Sequence, residues 1–172
     1  MLRHIKRMLT LSNRSKQHSP EVYRALQAAE GYVYFGLFRE ALRELDAIPH
    51  HDQEESDVMV ARIRILLHLG RWANAVRLST RGETLHKEED EFTVQRAFAL
   101  HQLDKGEEAA RVLLEAPEWL RRTGILHYNL ACYEAQLGDL KTAKQCINVA
   151  IQMNEQMRKN AKVDPDLQAL QN

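Results

Sequence analysis

The stretch YNLACYEAQLGDLKTA, residues 128–143, reads as a complete helix, a tight stop and the start of a second helix. Leu130, Ala131 and Tyr133 precede the stop. Leu140, Ala143, Ile147 and Ala150 follow it at helical spacing. Gly138 can take the left-handed conformation that ends a helix, and Asp139 can accept from the free amides that begin the next. The stretch predicts a helical hairpin.

The hairpin is repeated. Counting back from Ala143 in steps of 34 residues gives Ala109, Ala75 and Ala41. Six residues before each alanine stands Phe35, Leu69, Leu103 or Leu137, and twelve before stands Ala29, Ile63, Ala97 or Ala131. Gly36, Gly70 and Gly138 hold the turn, with Asp104 in their place in the third copy. Ala131 and Ala143 fall where two helices would cross, and small side chains there allow close approach. One hairpin leaves an apolar face open, so several must stack to bury a continuous core.

These residues carry a resemblance. The 34-residue spacing, the small crossing residues and the Gly-Asp turn are similar to tetratricopeptide repeats. The resemblance implies an all-α fold, a right-handed α-α superhelix of four copies over about 22–55, 56–89, 90–123 and 124–157. The family's first-helix Trp is replaced by Ala25, Met59, Thr93 and His127, and its terminal Pro by Gln53, Lys87, Arg121 and Glu155. Pro49 and Pro117 come earlier and imply short second helices in copies one and three.

Outside the array, residues 1–20 carry Arg3, Lys6, Arg7, Arg14 and Lys16 without an acid. This basic segment reads as a partly helical or disordered lead-in, a groove filler or a targeting segment. At the other end the last helix is expected to extend to about Lys162, where Asp164-Pro165 breaks it. Residues 163–172 then form a capping turn with Leu167 and Leu170 on one face, covering the end of the stack.

Composition narrows the function classes. The 172 residues hold 24 Lys plus Arg against 24 Asp plus Glu, so no global field exists to grip nucleic acid. No apolar run approaches the ~20 residues of a spanning helix, so no membrane insertion is expected. Cys132 and Cys146 form neither a disulfide framework nor a CxxC pair, which places the chain in a reducing, cytoplasmic setting.

No GxxxxGK, GxGxxG, GxSxG or HExxH constellation is present, so neither catalysis nor a cofactor is expected. His50-His51, followed by Asp52, Glu54 and Glu55, reads as a solvated loop rather than a metal site. His127, Cys132 and Cys146 make a poor ligand set, and no metal is expected. The acidic run KEEDE, 87–91, reads as a solvated helix start.

In tetratricopeptide arrays the first helices line a concave groove for peptides or helices. The resemblance places there Tyr23, Leu26, Val33 and Tyr34 of copy one, and Val60, Arg64 and Leu67 of copy two. Copy three contributes Val94, Phe98 and His101, and copy four Ile125 and Tyr128. Leu26 and Glu30 stand where the family's carboxylate clamp has Lys and Asn, which argues against a free C-terminal carboxylate as ligand. The expectation is a non-catalytic protein-binding scaffold or adaptor taking a peptide or amphipathic helix, with self-association a further option. The alternative is a small cytosolic chaperone of a secreted or membrane-destined partner, such as those of type III secretion.

Overall fold

The computed structural model describes residues 18–171, so most of the basic N-terminal segment lies outside the described residues. The helices are α1 (Pro20–Tyr34), α2 (Phe38–Asp46), α3 (Ser56–His68), α4 (Trp72–Leu85), α5 (Asp90–His101) and α6 (Gly106–Leu114). They continue as α7 (Glu118–Arg121), α8 (Gly124–Leu137), α9 (Leu140–Met153) and α10 (Gln156–Ala161). Short 3-10 turns occupy His50–Asp52 and Pro165–Leu170. The chain is all-α.

The second helices start at residues 38, 72, 106 and 140, three equal steps of 34. The turns before them share one hydrogen-bond motif. The amides of Leu37, Arg71, Lys105 and Asp139 donate to the carbonyls of Tyr32, Leu66, Leu100 and Glu134 at 2.8, 2.9, 3.1 and 3.0 Å. This is the Schellman closure, and it needs a left-handed residue just before the last donor. Gly36, Gly70, Asp104 and Gly138 take that place, with φ of 75°, 67°, 60° and 89°. Four residues into each second helix, Ala41, Ala75, Ala109 and Ala143 are fully buried.

The third turn differs in chemistry. Asp104 holds a conformation that costs an L residue about 1–2 kcal/mol, less for Asp than for most. Gly138→Ala is therefore expected to destabilise by about 1–2 kcal/mol. Asp104→Gly is expected to stabilise by no more than about 1 kcal/mol, since glycine's looser unfolded chain offsets part of the gain. Urea unfolding of both variants checks the pair of signs, and equal shifts in one direction would contradict it.

The described residues up to Phe92 form one compact unit, and those from Thr93 form a second. In the first unit α1 packs on α2 and α3, and α3 on α2 and α4. Its core includes Val22, Leu26, Ala29 and Val33 of α1, Ala41 and Leu45 of α2, and Val58 and Ile65 of α3. Ser19 starts α1 by accepting from the Val22 amide at 3.2 Å, and Pro20 follows with φ suited to a first turn. Pro49 comes after the 9-residue α2, as its early position implied. Gln53 then closes the stub, its amide nitrogen donating to the Leu45 and Ile48 carbonyls at 2.9 and 2.7 Å.

At the end of this unit a Cβ on Gly82 would lie under 3.0 Å from the ring of Phe92. The ring, itself fully buried, seats on bare helix backbone. Ala116 and Ala150 hold the same place one and two repeats on.

In the second unit α8 and α9 form the main hairpin, and α6 packs on α8. Ala131 and Ala143 are both fully buried, as expected of crossing residues. Asp139 accepts from the Thr142 amide at 3.0 Å and from its hydroxyl at 2.6 Å, the cap read from the sequence. The last helix is shorter than expected. It ends at Met153, because Asn154 turns extended (φ −151°, ψ 103°) and its side chain accepts from the Gln156 amide at 3.0 Å, starting the separate α10. The tail then folds back, and Pro165–Leu170 packs against both α8 and α9.

Candidate functional site

In the first unit α1 and α3 border a small apolar cleft. Leu26, Ala29 and Val33 face Ala61 and Ile65, with Glu30, Arg64 and His68 at the polar rim. The cleft holds about 30 Å³, room for one small side chain and not for a helix. Arg64 is held from α5, its Nε donating to Glu91 at 2.6 Å. Burial pushes the Glu91 carboxyl up, and Arg64 opposes the shift. Glu91 is thus a half-buried ion-pair member, and Glu89 accepts from the Ser56 hydroxyl at 3.2 Å. The KEEDE run is in part structural, contrary to the solvated start expected of it.

Exposed aromatics sit on the same helix. Tyr23 is 52% exposed and Tyr34 80%. Tyr34 meets Phe35 edge-on, with ring centroids 5.2 Å apart, and Phe35 is itself 74% exposed. Aromatic surface left to water in this way is a common anchor for partners.

The twelve residues assigned to a groove fall into three groups. Tyr23 and Tyr34 are exposed, while Arg64, Phe98 and Ile125 are half-buried. Leu26, Val33, Val60, Leu67, Val94, His101 and Tyr128 are buried, between 3 and 9% exposed. Leu26 and Val33 belong to the core of the first unit and reach the cleft only along one edge.

In the second unit the tail lies on one face of α8. The Tyr128 hydroxyl donates to Asp164 at 2.8 Å, Gln136 donates to Asp166 at 2.7 Å, and Leu167 is 1% exposed. Asp164 also accepts from the Asp166 amide at 3.1 Å and so starts its own turn. Burial and the neighbouring Asp164 push the Tyr128 hydroxyl and the Asp166 carboxyl up. Cys132, one turn from Tyr128, is buried in the same place, and its thiol is pushed well up by burial and then by Asp164. The His101 ring lies tilted by 31° against that of the fully buried Tyr133, with centroids 4.5 Å apart, and burial lowers the His101 pKa.

Among the described residues His50 and His51 join no such cluster, and His51 pairs with Asp52 at 3.3 Å. A histidine the sequence reading passed over does more. His18 places its two ring nitrogens 2.6 and 2.9 Å from Glu55 and Asp57, which joins the residues before α1 to the start of α3. Its partners are 37 and 39 positions away, and no local pattern marks them.

Hairpins of this regularity define a helical-repeat protein. No protein-family model matches the sequence, and no curated protein matches it. Solved structures do. MamA 41-end from Desulfovibrio magneticus RS-1 is 15% identical, with TM-score 0.70 over 84% of this chain and 82% of that one. The MamA RS-1 ArsTM double mutant is also 15% identical, with TM-score 0.69 over 90% and 92%. MamA from AMB-1 is 17% identical, with TM-score 0.62 over 86% and 84%. At such identities the likeness is one of fold, an all-α helical repeat of tetratricopeptide type. Among the described residues no helix is long and apolar enough to cross a membrane.

Proposed function

We propose that the chain is a non-catalytic protein-interaction module built of four tetratricopeptide-like copies, over about 22–55, 56–89, 90–123 and 124–157. It takes a peptide or helix of a partner protein on the first-helix face of its N-terminal unit. The observation that carries this reading is the cleft beside α1, on a helix that also keeps Tyr23 and Tyr34 in water. Repeats of helical hairpins support it, because stacking presents an extended surface made from many short elements. The cleft takes one partner side chain, and the aromatics add contact area at low entropic cost.

The test is a photo-crosslinking amino acid of the benzoyl-phenylalanine type at Tyr34, compared with the same group at Arg77, exposed on α4. Crosslinks recovered from native cell extract should concentrate at position 34 and map to one segment of a partner. They should fall when Tyr23→Ala protein carrying the crosslinker at 34 is used instead. Equal recovery from 34 and 77 would remove the α1 face as the binding surface.

A further inference from the structure

We propose that Cys132, Asp164 and Asp166, with His101 beside them, form a binding site for a transition-metal dication, Zn²⁺ fitting best, which fastens the C-terminal turn to α8. The Cys132 sulfur and one oxygen of each aspartate lie within 4.8 Å of one another. His101 Nε2 stands 4.0 Å from Asp166, beyond hydrogen-bond reach. That imidazole is 7% exposed and makes no hydrogen bond among the described residues. It is a buried polar group aimed at a carboxylate without a proton bridge between them.

The charge balance points the same way. Asp164 is 7% exposed and the Asp166 side chain 10%. Their hydrogen-bond donors are Tyr128, Gln136 and a backbone amide, all neutral. No Lys or Arg among the described residues pairs with either. A dication beside two buried carboxylates two positions apart is favoured electrostatically.

The distances permit this. A tetrahedral zinc holds oxygen and nitrogen at about 2.0 Å and sulfur at about 2.3 Å, which sets ligand atoms roughly 3.2–3.6 Å apart. Cys132, Asp164 and Asp166 need to close by no more than about 1.6 Å, within reach of short side chains turning about χ1. A thiol and an imidazole favour zinc over magnesium or calcium, whose sites are all oxygen. Metal binding forms the sulfur–metal bond as the thiol proton leaves to solvent.

The experiment uses the full chain, stripped with chelator, equilibrated with Zn²⁺, desalted and analysed for metal. A parallel sample takes Co²⁺. About one zinc per chain is expected, with a thiolate-to-cobalt absorption band in the near ultraviolet. Cys132→Ser and Asp166→Asn should each weaken binding at least about tenfold and abolish the zinc-dependent rise in melting temperature. Cys146→Ser should leave both unchanged. Asp166→Asn, close to isosteric, keeps the comparison readable if Cys132→Ser folds poorly. A wild-type chain that retains no zinc would overturn the site. So would zinc bound without the thiolate band and equally well by both variants, which would place it on surface histidines. Neither result bears on the α1 face, whose test is independent.

Discussion

Replacing Phe92 by alanine is expected to cost about 3–5 kcal/mol, the largest single loss foreseen for this chain. The ring is fully buried, stacks on His86 at 5.8 Å and lies against the backbone of α4 at Gly82. The wall at Gly82 is bare backbone and has no side chain to fill the space the ring would leave. The converse change should also hurt. Gly82→Ala gains about 1 kcal/mol of helix propensity. It also drives a methyl into the ring, at about 1–3 kcal/mol or more for overpacking a tight core. The double variant is the sharper measurement, since the new methyl enters the room the ring has left. Its loss in urea unfolding should be smaller than the sum of the single losses, by about 1 kcal/mol or more. Strict additivity would show that the two residues do not meet.

Leu167→Ala should release the tail. The side chain is 1% exposed in a turn that packs on α8 and α9. A buried Leu→Ala change costs about 2–5 kcal/mol. Here the loss has a ceiling, because a terminal segment can detach while the helices behind it stay folded. Trypsin cleavage after the exposed Lys162 should therefore speed up at least about tenfold. The main unfolding transition should move by less than the full cavity cost. Leu170→Ala, at a half-buried position, should give the smaller effect of the two. Unchanged cleavage in Leu167→Ala would mean that the turn does not depend on this anchor.

How much of this was legible follows the range of each interaction. The four turns were readable because a Schellman closure demands a residue able to go left-handed, and Gly or Asp appears there every 34 positions. The short α2 and α6 were readable from Pro49 and Pro117, since proline cannot continue a helix. The Asp139 cap is likewise a contact three residues long. The apolar stripe on the first helices was visible, but its direction was not. A first helix packs on its own partner and on the next hairpin, so apolar residues circle most of it, and periodicity cannot say which face is left to water. Leu26 and Val33 were thus grouped with Tyr34, although the former are core and the latter is exposed.

The tail shows the same limit. Asp164 capping its own turn is local, and Leu167 as an anchor follows from spacing alone. That the turn lies on α8, bringing Asp164 and Asp166 to Cys132 and His101, depends on where the chain heads after Asn154. By itself the sequence determined the element type, the hairpin register and the turn chemistry, because these rest on backbone conformations settled within a few residues. Only the tertiary structure decided which apolar faces stay open and which distant polar groups share a site. Those outcomes depend on packing between segments tens of residues apart, and a long-range contact leaves no periodic mark on the chain.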